Sequence, residues 1–333
     1  MRYFCFFVWC AFMGCTTSQT TRDPQSLIFL TPDLVTEQLH DTLFVRCNGM
    51  FSANGRVCIG DYDGGRIICT DVDFQAQTIL GRKGLGPGEI MYPGHGVYYE
   101  GQFFIYDAGK KSIQVFGEEG VFIKEVRLPA EYDNYSTFAI GEDGDCYLGT
   151  GFVSSVGLRF DLDSQKTVSF FGVGDKAEDE KKAPANLLRL KDGHLISILE
   201  TLPRIVVYGP DLKARSTYDL SDDELVKGGA EFRKVKGDPH AFMFSVFGGA
   251  QLDTGTNRLY VLVFGYEPGD DNTAARTIYE FQYQDGSLSH RSTYRLTGPE
   301  ESKPAFLSFA VVDKQIFTYD LITELFYRYP LPG

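Results

Sequence analysis

The stretch Gly94–Pro129 reads GHGVYYEGQFFIYDAGKKSIQVFGEEGVFIKEVRLP. Four short runs rich in β-branched and aromatic residues are broken by EG, DAGK and EEG. Each run alternates or is wholly apolar, and each break supplies residues that turn readily. Four strands in a unit of roughly 40 residues is the pattern of a β-propeller blade. Working outward, the same unit recurs. One copy precedes it, with strands near Phe44–Ala53, Arg56–Tyr62, Arg66–Val72 and Gln75–Gly81, and with Asn54-Gly55 and Asp63-Gly64-Gly65 as turns. Further units run over Ser136–Gly172, Asn186–Leu220 and Gly248–Leu296. The last, Pro304–Leu331, has only three strands, AFLSFAVVD, QIFTYD and ELFYRYPL.

A ring must close, and an open strand edge invites pairing. The missing strand is expected from the N-terminal side, from Leu27–Leu30 or Thr36–Phe44. Five complete units plus one shared unit predict an all-β fold, a six-bladed propeller with four antiparallel strands per blade. The polar stretch Ser221–Phe244 reads as a loop with a helical turn, not a seventh blade.

Composition agrees with sheets packed face to face. Of 333 residues, 14% are aromatic, with 27 Phe and 19 Tyr but one Trp, and 36 are Gly. The net charge of −13, with no basic stripe, argues against nucleic-acid binding.

The N-terminus stands apart. Arg2 precedes an apolar run from Tyr3 to Met13, too short to span a bilayer but fitting a signal-peptide core. Phe12-Met13-Gly14-Cys15 resembles the bacterial lipobox, with Phe12 where Leu is usual. The resemblance implies cleavage before Cys15, lipidation of that residue and a membrane anchor. The chain then divides into a signal peptide (1–14), a tether (15–26) and the propeller (27–333). No acidic run of the kind that surface-exported bacterial lipoproteins often carry follows Cys15, so the lipoprotein resemblance implies the periplasmic side of the outer membrane. Of the seven cysteines, Cys47, Cys58, Cys69 and Cys146 remain in the mature domain, without metal-site spacing. Cys47, Cys58 and Cys69 fall on three successive strands; Cys58 and Cys69 could pair, and small buried thiols are the stronger expectation.

GRKGLGPGEIMYP (Gly81–Pro93) followed by GVYYEGQFFIYD, with Ile105-Tyr106-Asp107 and Ser112–Phe116, resembles the six-bladed propeller lipoproteins of Bacteroidetes, similar to NHL-repeat and TolB-like propellers. The resemblance covers nearly the whole mature chain and implies fold far more than activity. The glycine-rich run itself lacks a following helix and GK[ST], so it reads as a connector between blades and not as a phosphate loop. Arg82 and Glu89 flank it and are placed to pair.

In this topology the connectors between blades and the turns between second and third strands share one face around the channel mouth. That places Asp61, Asp63, Arg82, Glu89, Asp107, Lys110, Glu200, Arg204, Glu267, Asp270, Asp271 and Asp320 on the expected ligand face, with His95 near the mouth. No cofactor is expected. These carboxylates could hold a cation such as calcium, yet no DxDxDG-type loop occurs, and turn capping is the default role of such side chains. No GxSxG elbow is present. The reading is a non-enzymatic binding module for a protein, peptide or glycan at the channel face. The alternative is a metal-assisted, lactonase-like hydrolase or lyase.

Overall fold

Why should a run such as Gln102–Asp107 settle as a strand inside a sheet rather than at a surface? It is apolar on both faces, and each face of a propeller blade is covered by a neighbouring blade. The computed structural model bears this out throughout. It describes residues 27–37, 39, 46–75, 77–129, 132, 137–142, 144–150, 155–172, 185–199, 202–228, 246–264, 275–299 and 302–333.

Blade I is formed by β3 (Cys47–Ala53), β4 (Arg56–Asp61), β5 (Arg66–Thr70) and β6 (Gln77–Leu80). Blade II is β7 (Pro93–Tyr99), β8 (Gln102–Asp107), β9 (Ser112–Gly117) and β10 (Phe122–Arg127). Blade III is β11 (Phe138–Ile140), β12 (Asp145–Gly149), β13 (Gly157–Asp161) and β14 (Lys166–Phe171). Blade IV is β15 (Ala185–Arg189), β16 (Leu195–Leu199), β17 (Arg204–Tyr208) and β18 (Ala214–Asp219). Blade V is β19 (Phe247–Asp253), β20 (Arg258–Phe264), β21 (Ala275–Gln284) and β22 (Ser287–Leu296), and blade VI is β23 (Phe306–Val312), β24 (Gln315–Asp320) and β25 (Phe326–Pro330).

Within each blade the strands pair in order as an antiparallel meander. The first strands form the inner ring: β3, β7, β11, β15, β19 and β23 neighbour one another in sequence, and β23 returns to β3. Six apolar clusters fill the six seams between blades. Phe51, Ile67, Phe103 and Phe116 join blades I and II, for example, and Phe171, Leu187 and Tyr208 join blades III and IV. The core is thus a ring of seams, each shared by residues far apart in sequence.

Closure differs from expectation in detail. Neither Leu27–Leu30 nor Thr36–Phe44 completes blade VI. The fourth strand is β2 (Leu34–Thr36), antiparallel to β25 on the outer edge. β1 (Leu27–Leu30) instead runs parallel to β22 and gives blade V a fifth strand. Thr31-Pro32-Asp33 carries the chain from one blade to the next. Pro32 has no N–H to continue a ladder, so the strand breaks there. The N-terminal segment therefore straddles the seam between blades V and VI, with Leu30 in its apolar cluster. In 221–228 the only regular element is a helical turn at 224–228; 229–245 lie outside the described residues.

A second correction concerns the cysteines. Cys58 and Cys69 are directly opposed on β4 and β5 and form a disulfide, where free thiols were the stronger expectation. The register puts their Cα atoms 4.0 Å apart, so the bond closes with no chain rearrangement. A loop of this length stabilises the fold by about 3 kcal/mol in the chain-entropy picture. Cys47 and Cys146 remain reduced and buried, and burial pushes the Cys47 thiol up to about 12.

Candidate functional site

The connector face is held together by its own charges. Asp107, at the end of β8, is fully buried. Its Oδ2 accepts from the Met91 amide at 2.9 Å, and its Oδ1 accepts from the amides of Tyr92 (3.1 Å), Gly109 (3.0 Å) and Lys110 (3.3 Å). One carboxylate thus ties the turn after the second strand to the incoming connector. Asp320 does the same in blade VI, accepting from Ala305 N at 3.0 Å and Ile322 N at 3.1 Å. Asp61, also fully buried, accepts from Gly64 N at 3.0 Å and pairs with Arg66 at 2.9 Å.

The glycine-rich connector is equally self-contained. Arg82 pairs with Glu89 at 3.0 Å, and Glu89 also accepts from the Gly86 amide at 2.8 Å. The Gly86 N–H, then the Arg82 guanidinium, hold the Glu89 carboxyl below the usual carboxylate range. Gly88 sits at φ 72°, where a Cβ would meet Phe122, so only glycine fits. Lys110 donates to Gly86 O and to Glu125, both at 3.2 Å. Asp63 is exposed, and its backbone carbonyl accepts from Lys83 at 3.0 Å. The structure therefore brings Arg82, Glu89 and Lys110 together and separates them from the channel axis. Arg204 pairs with Asp219. Glu200, Glu267, Asp270, Asp271 and Cys15 lie outside the described residues.

His95 alone of the expected site residues with described structure faces the channel. Two compartments meet at it. The compartment on the connector side, about 290 Å³, is lined by the starts of the inner strands of all six blades. Its side chains are neutral: Asn48, Thr137, Asn186, Gln251 and Ser308 stand among Gly49, Gly94, Gly248 and Gly249. A Cβ on Gly249 would meet nothing within 4 Å, and one on Gly49 only the Gly94 carbonyl at 3.7 Å. Missing side chains, not missing backbone, keep this lumen open.

Most of these groups stitch the ring. Asn48 donates to Pro93 O at 3.0 Å, Thr137 Oγ1 accepts from Leu187 N at 2.8 Å, and Gln251 donates to Met50 O at 3.3 Å. Asn186 is the exception. It is 4% exposed, it lines the lumen, and its amide makes no hydrogen bond among the described residues, so its polar atoms are left to whatever fills the lumen.

On the hairpin side lies a second compartment of about 250 Å³, walled by Phe51, Tyr98, Tyr99 and Phe138 and rimmed by Arg189, Lys191 and Glu142. His95, Leu188 and Gln251 line both spaces and so form the partition. The His95 ring lies edge-on to Phe138, with centroids 5.8 Å apart. Enclosure lowers its pKa to about 4, so the imidazole is neutral at physiological pH.

Nothing in a single blade announced the lumen ring. Its members sit one per blade, and only the closed fold brings them together. A polar residue within or just before each inner strand was the available signal.

No protein-family model and no curated protein matches this sequence. Solved structures do match in fold. A member of the DUF4221 family from Bacteroides vulgatus is 12% identical with a TM-score of 0.56, covering 92% of this chain and 96% of that one. A Bacteroides fragilis protein described as exported is 13% identical with a TM-score of 0.56, covering 88% of each chain. A catalytically inactive virginiamycin B lyase from Staphylococcus aureus, solved with quinupristin, is 11% identical with a TM-score of 0.51, covering 90% of this chain and 88% of that one. At such identities the likeness establishes the propeller and leaves activity to the site itself.

Proposed function

We propose that this chain is a binding propeller of the cell envelope whose ligand enters the central channel. The observation that carries this reading is Asn186, whose amide opens on a lumen of neutral hydrogen-bonding groups with no protein partner among the described residues. Such a lining recognises hydroxyls and amides, the groups of glycans and peptide backbones. Its volume suits one sugar ring or one inserted side chain. A panel of neutral sugars and short peptides, screened by thermal shift on the full-length protein in detergent, tests this. A hit should raise the melting temperature, and Asn186→Leu should reduce its affinity about tenfold, as for a lost buried hydrogen-bond pair. Unchanged affinity in that variant would remove the lumen from consideration.

A lyase reading draws its support from His95, a channel imidazole without a hydrogen-bond partner among the described residues, and from the lyase among the fold neighbours. Against it stands the depressed pKa of His95. A general base works best with a pKa near the working pH, and about 4 is far below that.

Envelope placement rests on the N-terminal sequence, with support from the exported fold neighbour and from the disulfide. The anchor is the lipid on Cys15, facing the periplasm from the outer membrane. Cys15→Ala should move the protein from the membrane to the soluble fraction and abolish acyl labelling. Acyl label persisting on that variant would refute the anchor.

A further inference from the structure

We infer that the ligand of the channel is a carboxylate-bearing sugar, with its acid group held at the hairpin-side mouth by Arg189 and Lys191. This rests on the channel reading and adds the chemistry of the second compartment.

Three features of that mouth converge. Its walls are aromatic. Tyr98 and Tyr99 are half-buried and turn ring surface to the cavity, against which the C–H face of a sugar can pack. Two cations stand at its rim in a chain of net charge −13. Arg189 and Lys191 lie there with the carboxylate of Glu142, while Glu100 and Glu118 are engaged by the hydroxyls of Tyr99 and Tyr98. Finally, Arg189 is held ready. Its Nη1 donates to Tyr147 Oη at 2.8 Å and its guanidinium lies over the Tyr147 ring, 5.1 Å from the centroid. The rest of its planar fork makes no hydrogen bond among the described residues, and such a fork matches a carboxylate in shape and charge. Lys191 is exposed and adds a second, mobile charge. On the inner side, the His95 partition leads to the amide of Asn186. An acid at the rim, a ring between tyrosines and hydroxyls toward the neutral lumen satisfy all three surfaces at once. A free fatty acid or a simple anion would leave the Asn186 amide without a partner.

The test titrates the full-length protein in detergent with D-glucuronate and with D-glucose, which differ at one carbon. Glucuronate should bind about tenfold tighter, in line with hydrogen bonds to a charged group. The preference should collapse in Arg189→Gln and fall about threefold in Lys191→Gln, as expected for a more exposed cation. It should also weaken as salt is raised, while glucose binding stays constant. Lys191→Gln alters only an exposed side chain, so it stays informative if Arg189→Gln folds poorly. Equal binding of both sugars would overturn the inference and leave the channel reading standing. Glucuronate binding lost in Arg189→Gln but intact in Asn186→Leu would support the acid site and sink the lumen reading. Absence of binding by either sugar would overturn the inference.

Discussion

Deleting residues 23–45 is expected to destabilise the whole ring. That segment supplies β2, the outer strand of blade VI, and β1, the fifth strand of blade V. It also contributes Leu39 at 0% exposure and Leu30 at 7%, in the seams of blades VI–I and V–VI. Two fully buried leucines and the half-buried Ile28 and Leu34 together represent about 6 kcal/mol of lost burial. Polar ties go as well. Arg328 pairs with Asp33 at 2.9 Å, the Leu30 carbonyl accepts from Thr297 N at 3.0 Å, and Gln77 donates to the Leu39 carbonyl at 2.6 Å. For a chain of this size the melting temperature should fall by about 9 °C. Because the seams form one ring, unfolding should stay a single transition, and the exposed edge of β25 should promote association. Differential scanning calorimetry and light scattering read both effects. An unchanged melting temperature would show that the ring closes without the N-terminal strands.

Asp107→Ala should cost nearly as much. The carboxylate is at 0% exposure and accepts from four backbone amides, two on the connector and two in its own turn. Alanine leaves those donors facing a void. Unpaired buried groups cost about 1–3 kcal/mol each, so the loss should reach roughly 4 kcal/mol even with water entering part of the site. That corresponds to roughly 6 °C. Asn is the informative control. It can keep the three amides on Oδ1, but it sets its own NH₂ against the Met91 amide, and it should recover about half the loss. On the sequence alone Asp107 is one of the carboxylates of the expected ligand face. The structure makes it a clamp between blades, so the stability loss should appear with channel binding intact. Chemical denaturation of the two variants measures it.

Much of the fold was legible because blade strands carry their own punctuation. QFFIYD and SIQVFG are apolar on both faces and are separated by a turn with Lys111 at φ 51°. The closing strand was less legible. Leu27–Leu30 is the more apolar segment and so the stronger strand signal, yet Leu34–Thr36 has the reach to blade VI after the break at Pro32. The disulfide depended on cross-strand register, and spacing alone did not settle register for Cys58 and Cys69. For the site, topology correctly grouped the connectors and second turns on one face. It could not tell a carboxylate that caps amides, such as Asp61 or Asp107, from one that awaits a ligand. Asn186 went unnoticed for the opposite reason. Inside NLLRL it looked like the first residue of an ordinary strand, and only the closed ring shows what its amide faces.

A glycan array probed in parallel with the wild-type protein, Asn186→Leu and Arg82→Ala tests the central claim most directly. The channel account predicts a discrete set of bound glycans that Asn186→Leu loses and Arg82→Ala keeps. Glycans kept by Asn186→Leu and lost by Arg82→Ala would move the site to the connector face and contradict it.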